Sequence, residues 1–88
     1  MQDELTLAQK SALKWLRNRN GTGVFGKDGV LIAAGERAPI RRQTWNRLIE
    51  LELMNVDGKR ISVTNYGRAV DLTGVYESEG HRLFEPEV

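Results

Sequence analysis

Apolar residues recur at three- and four-residue spacing in two stretches of the chain, a pattern typical of amphipathic helices. The first helix is predicted over residues 6–20, because Thr6 and Gln9 match a capping box at its start and Gly21 suits its end. The second is predicted over residues 39–53, since Pro39 fits the first turn of a helix. Together with the strands predicted over residues 56–63, these helices give a predicted core. Its residues are Leu13, Trp15, Leu16, Trp45, Leu48, Leu51, Val56, Ile61 and Val63.

Two shorter apolar stretches contain glycine-rich turns, and both predict β-structure. In the first, over residues 24–34, the turn 26–29 fits a β-hairpin, although the run 30–34 also fits a short buried helix. The β-branched Val30 and Ile32 favour the hairpin. In the second, over residues 56–63, Asp57-Gly58 predicts a tight type I′ turn, with Lys59 and Arg60 at or beside its tip.

The order of these elements predicts an α+β fold class. After the second hairpin, Thr64 or Asn65 can cap a short third helix that continues to about residue 72 and ends near Gly74. The predicted order is helix, hairpin, long helix, hairpin and short helix. Residues 1–74 form one predicted domain, and residues 75–88 form an acidic C-terminal tail.

Composition agrees with one small folded domain. The chain has 88 residues, of which 40% are hydrophobic and 28% are charged. It has no cysteine, no apolar run of membrane-spanning length and no N-terminal signal pattern, so we expect a cytoplasmic protein without membrane contact. The net charge is only +1, yet residues 36–68 carry seven Lys/Arg and four Asp/Glu, while residues 69–88 carry one and five. This distribution predicts a basic face beside an acidic tail.

Few residues offer chemistry for catalysis or for a cofactor. His81 is the single histidine and lies in the acidic tail, whereas a metal site needs several convergent ligands. Residues 21–26 match G-x-G-x-x-G, but they follow a helix and precede a strand-like run, which reverses the dinucleotide-binding context. We therefore expect no enzyme activity, no cofactor and no metal. Trp15 and Trp45 lie on the apolar helix faces, where packing is their expected role.

The polar face of the second helix carries residue types that read base edges in the major groove of DNA. Arginine pairs bidentately with guanine, and asparagine or glutamine pairs with adenine. The residues of this face are Arg42, Gln43, Asn46 and Arg47. An ordinary solvated helix also presents a polar face, so the face alone does not indicate DNA. Lys59 and Arg60 on the following hairpin make the combination more specific, because they suit contacts with phosphate.

Residues 44–68, TWNRLIELELMNVDGKRISVTNYGR, resemble the second half of a winged helix-turn-helix domain of the MarR-like type. The matching parts are residues 44–53 of the recognition helix predicted over 39–53, a hairpin wing (56–63) and a T-x-x-G-R end (64–68). The resemblance implies a small bacterial or phage transcriptional regulator that binds double-stranded DNA, and a homodimer would suit a palindromic site. It also implies that the recognition helix lies in the major groove and that the phosphate contacts come from Arg41, Lys59, Arg60 and Arg68.

Two features depart from the pattern of that family. Residues 24–34 occupy the place of the usual second helix, and Glu52 or Leu53 replaces a common glycine near the end of the recognition helix. Many winged-helix domains bind proteins rather than DNA. The alternative function is therefore a protein-interaction module, such as a small adaptor or inhibitor. Its partner would contact the acidic tail, with the apolar anchors Tyr76, Leu83 and Phe84.

Overall fold

The structure, a computed structural model, describes residues 5–77, and these form three helices and one antiparallel sheet of five strands. The helices are α1 (Leu7–Arg17), α2 (Arg42–Glu50) and α3 (Asn65–Ala69). The strands are β1 (Thr22–Phe25), β2 (Leu31–Ala33), β3 (Glu36–Arg37), β4 (Met54–Asp57) and β5 (Arg60–Val63). Their order across the sheet is β3-β2-β1-β5-β4. The predicted α+β class is confirmed.

The core lies between one face of the sheet and the helices α1 and α2. Trp15 of α1 and Trp45 of α2 are both buried, and their ring centroids lie 6.4 Å apart with the ring planes at 60°. Most of the predicted core residues are buried, and Leu51 is partly buried. The prediction for Val56 is wrong. This residue is 39% exposed, because β4 is an edge strand in which only Met54 is buried.

Helix α1 begins as predicted and ends earlier than predicted. The Thr6 side chain accepts a hydrogen bond from the backbone N–H of Gln9, and the Gln9 side chain accepts one from the N–H of Thr6. This capping box satisfies two N–H groups that the helix itself leaves free. The last helical residue is Arg17 rather than Asn20, because Asn20 and Gly21 both have left-handed backbones, with φ of 70° and 72°.

Residues 24–34 form a hairpin, so the alternative of a short helix is excluded. Val24 of β1 pairs with Ile32 of β2 in an antiparallel register. A further short strand, β3, lies outside the predicted elements and pairs with β2 through a two-residue turn, Ala34-Gly35. Both turn residues have positive φ, 53° and 79°, the combination that a type I′ turn requires.

The second hairpin forms where it is predicted, but its turn is displaced by one residue. Asp57 and Arg60 are a cross-strand pair, so the connecting residues are Gly58 and Lys59 rather than Asp57 and Gly58. Of these two, only Gly58 has a positive φ, at 63°. A glycine at the first of two central positions is typical of a type II′ turn, not of type I′. Lys59 therefore occupies the tip itself.

Helix α2 is shorter than the predicted range 39–53. The backbone N–H of Ala38 donates a 2.8 Å hydrogen bond to the carbonyl of Leu31, which holds the chain against β2 and keeps Pro39 outside the helix. At the other end, the N–H of Leu53 bonds to the carbonyl of Leu48 at 3.0 Å, and Glu52 has a φ of 65°. This is the hydrogen-bonding pattern of a Schellman motif, in which glycine usually takes the position of Glu52.

Helix α3 follows β5 directly and ends before the predicted residue 72. Thr64 caps it by accepting a hydrogen bond from the N–H of Gly67 at 3.1 Å, and Val70 is already extended. Gly67 is packed so closely that an added Cβ would collide with the carbonyl of Leu53. The chain then continues through Leu72 and Val75, both buried in the same core.

Candidate nucleic-acid interface

The side chain of Arg42, in the first turn of α2, is held by two contacts. Its guanidinium carbon lies 3.8 Å from the centroid of the Phe25 ring. Its Nε donates a hydrogen bond of 3.2 Å to Oδ1 of Asn46, one helical turn later. Arg42 is exposed, and its two terminal nitrogens have no hydrogen-bond partner among residues 5–77. A planar pair of donors is therefore available to a ligand.

Phe25 connects Arg42 to the hairpin of β4 and β5. The backbone N–H of Phe25 donates a 2.8 Å hydrogen bond to the carbonyl of Lys59. The ring beneath Arg42 thus belongs to a direct neighbour of the hairpin tip. Arg42 and Lys59 consequently lie at the same end of the sheet, which we call the turn end and define by Phe25, Val30 and Lys59.

The start of α2 carries positive side chains where helices usually carry negative ones. Arg41 is the N-cap residue, its side chain makes no capping hydrogen bond, and the first turn contains no acidic residue. Free N–H groups and the helix dipole make such a start favourable for an anion, for example a phosphate. Arg41 lines the same open groove as Val30, which places it at the turn end with Arg42 and Lys59.

The remaining predicted base-reading residues are exposed along α2, but two of them have partners. Asn46 accepts the hydrogen bond from Arg42 described above. Nη1 of Arg47 lies 3.1 Å from Oε1 of Glu50, and these side chains are 45% and 66% exposed. An ion pair this exposed contributes little to stability. Gln43 is exposed as well.

Two of the predicted phosphate contacts, Arg60 and Arg68, lie away from this group. Side chains alternate along a strand, and Ile61 is fully buried, so Arg60 lies on the outer face of the sheet, opposite α1 and α2. The guanidinium of Arg68 lies against Gly21, since a Cβ built there would be 2.8 Å from its Nη2. Gly21 precedes β1, so Arg68 lies at the end of the sheet opposite Lys59.

Phe25 belongs to this surface although no local sequence pattern indicates it. The predicted hairpin over residues 24–34 pairs β1 with β2. It does not predict which strand lies on the other side of β1. The pairing of β1 with β5, for example Val24 with Arg60, is a long-range contact without a local sequence signal. Only this pairing brings the Phe25 ring beside the hairpin tip. The ion pair of Arg47 with Glu50, in contrast, could be anticipated from their three-residue spacing.

Other kinds of site find no support in the described part of the chain. Among residues 5–77, no three His, Cys, Asp or Glu side chains come together as a metal site would require. None of the described helices combines the length and the apolar character needed to cross a membrane. The tail residues His81, Leu83 and Phe84 lie outside the described residues.

Comparisons with known proteins do not assign the chain to a family. No protein-family model matches it. Searches of curated proteins and of solved structures found no significant similarity either. The functional assignment therefore depends on the geometry and charge of the turn end and of α2.

Proposed function

We propose that the protein binds double-stranded DNA as a winged-helix transcriptional regulator, with α2 in the major groove and the β4–β5 hairpin on the backbone. The proposal draws support from the element order. An initial helix leads into a central strand, β1, and helix α2, whose polar face is exposed, leads directly into a hairpin that pairs with that strand. This order resembles that of a winged helix, with the short strands β2 and β3 in the place of the second helix.

Charge gives a second line of support. Residues 36–68, which include α2 and the β4–β5 hairpin, carry seven Lys/Arg against four Asp/Glu, although the whole chain has a net charge of only +1. Lys59 at the hairpin tip makes no ion pair within the described residues. Arg41 and Arg42 place positive charge at the start of α2, where the helix dipole favours negative charge. A local conflict of this kind is expected where residues serve a ligand rather than the fold.

The observation that carries the proposal is the connection from Arg42 through Phe25 to Lys59. It joins the start of an exposed helix to a cationic hairpin tip through one ring contact and one backbone hydrogen bond. A helix and a wing held in this way can contact a base edge and the adjacent phosphates together. We accordingly assign the base contacts to Arg42, Gln43, Asn46 and Arg47, and the phosphate contacts to Arg41 and Lys59.

The test is the salt dependence of binding to a generic DNA duplex. We expect the logarithm of the binding constant to fall linearly with the logarithm of salt concentration, with a slope of about −0.9 per phosphate contacted. Lys59→Ala should weaken binding to all sequences alike and make the slope shallower by about 1. Lys10→Ala, which removes the same charge from α1, is the matched control and should change neither. A slope near zero for the wild type would refute the proposal.

The second candidate function is a protein-interaction module, and exposed apolar residues favour it. Val24 and Ile32 are neighbours on the outer face of the sheet, 44% and 37% exposed, and Tyr76 is 65% exposed. For this function, a partner should remain bound after Arg42→Ala and Lys59→Ala, and it should be lost when residues 76–88 are removed. If the protein binds DNA, Arg42→Ala and Lys59→Ala should each weaken binding of the duplex.

A further inference from the structure

The structure suggests how one arginine of the proposed interface is prepared for base recognition. An arginine side chain in solution samples many rotamers, and fixing it on binding opposes affinity. Arg42 is already restricted, because one guanidinium face lies on the Phe25 ring at 3.8 Å and Nε is hydrogen-bonded to Asn46. The two terminal nitrogens retain the geometry that pairs with O6 and N7 of guanine.

Asn46 is correspondingly limited. A bidentate contact with adenine needs both the oxygen and the NH₂ group of the asparagine side chain. The Oδ1 of Asn46 already accepts the hydrogen bond from Arg42 at 3.2 Å. An amide oxygen has two lone pairs, so Asn46 retains one acceptor site, but the hydrogen bond to Arg42 fixes the direction of its oxygen and NH₂ group.

We infer that Arg42 is the residue that specifies a guanine in the DNA site, with Phe25 and Asn46 as positioning residues that hold its guanidinium. This inference rests on the proposed DNA binding and deepens it, since it assigns one base to one side chain. It reassigns Asn46 from reading a base to supporting the neighbour that reads one. It also gives Phe25, which is buried and cannot reach DNA, an effect on sequence preference.

The experiment is a selection of bound duplexes from a pool with a randomised centre, using the full chain at fixed salt. Among the duplexes bound by wild type, guanine should be enriched at one position by on the order of tenfold over the other bases. Arg42→Lys keeps the charge but loses the planar guanidinium group with its paired N–H donors. This variant should lose the guanine enrichment at that position and retain its general affinity for duplex DNA. Phe25→Leu should lose the same enrichment although Arg42 is intact.

Asn46→Ala provides a second variant on an exposed position, in case Phe25→Leu fails to fold, which circular dichroism would reveal. We expect it to reduce enrichment at the guanine position severalfold. If Asn46→Ala instead lost a preference for adenine at a different position, Asn46 would read a base itself, and the inference would be overturned. Retained guanine preference in folded Phe25→Leu, or in Asn46→Ala, would also overturn it.

Salt-dependent binding of wild type without any guanine preference would overturn this inference alone, whereas absence of salt-dependent binding would refute the proposed function as well.

Discussion

Two groups of arginines lie at opposite ends of β1, and they differ in how far the fold uses them. Near the end of α1, Arg19 donates to Glu36, to Glu77 and to the carbonyl of Trp15, and its guanidinium lies 4.1 Å from the Trp15 ring centroid. Arg17 donates to the carbonyl of Val70 at 2.8 Å. At the turn end, Arg42 also stacks on a ring, but only its Nε has a partner within the described residues.

The comparison separates arginines whose terminal donors are satisfied within the fold from an arginine whose terminal donors have no partner among residues 5–77. The Arg19 side chain is only 16% exposed. Its guanidinium group connects α1, β3 and the C-terminal segment by hydrogen bonds. Arg42 makes the same kind of aromatic contact, yet its two terminal nitrogens have no hydrogen-bond partner among residues 5–77. Residue type and ring stacking are therefore not sufficient to distinguish the two roles, and the number of satisfied donors is the better criterion.

The largest expected effect on stability comes from Arg19→Ala. Loss of the charge-assisted hydrogen bonds to Glu36 and Glu77 should lower the free energy of unfolding by about 2 kcal/mol. Urea-induced unfolding measures this change. Arg60→Ala is the matched control, because Arg60 has no polar partner among residues 5–77, and it should change stability by less than about 0.5 kcal/mol. Equal effects of the two substitutions would remove the distinction between the groups.

Arg41→Asp should produce opposite changes in stability and in DNA binding. An aspartate at the N-cap accepts a hydrogen bond from a free N–H and complements the helix dipole, so stability should rise by about 1 kcal/mol. The same substitution reverses a charge at the turn end and should weaken duplex binding at moderate salt. Thermal unfolding and a duplex titration provide the two readouts. An Arg41→Asp protein that binds duplex DNA as well as wild type would contradict the role assigned to the start of α2.

A smaller effect is expected from Glu77→Gln, and it should depend on pH. A hydrogen bond from Asn18 lowers the pKa of the Glu77 carboxyl, burial opposes this shift, and Arg19 lowers the pKa further. A carboxyl with a lowered pKa in the folded state stabilises the protein above its unfolded-state pKa of about 4.3. This stabilisation disappears as the pH falls through the lower, folded-state pKa.

Wild type should therefore be more stable than Glu77→Gln at neutral pH, and the two proteins should converge as the solution is acidified. Urea unfolding at a series of pH values measures the difference. A difference that stays constant across the acidic range would show that the carboxylate charge of Glu77 does not hold the C-terminal segment to α1.

The features that the sequence could predict are those with local signals. The capping box of Thr6 and Gln9, the hairpin over residues 24–34 and the cap at Thr64 each depend on residues close together in the chain. For the same reason, the exposure of Arg42, Gln43, Asn46 and Arg47 follows from helical periodicity and is confirmed.

The features that it could not predict depend on contacts between distant segments. The hydrogen bond from Ala38 to Leu31 sets where α2 begins. The pairing of β1 with β5 places Phe25 beside Lys59, and Arg60 on the outer face. A glutamate in a left-handed conformation ends α2, although propensity alone would reserve that position for glycine. Tertiary context decides each of these cases.

The most direct test of the account is an NMR titration of the full, ¹⁵N-labelled chain with a generic DNA duplex. If α2 and the hairpin tip form one binding surface, amide signals should change for residues 41–47 and 57–60. The signals of α1 around Lys10 and of the segment around Arg68 should stay constant. Changes confined to those two regions, or to the outer-face residues Val24 and Ile32, would contradict the account.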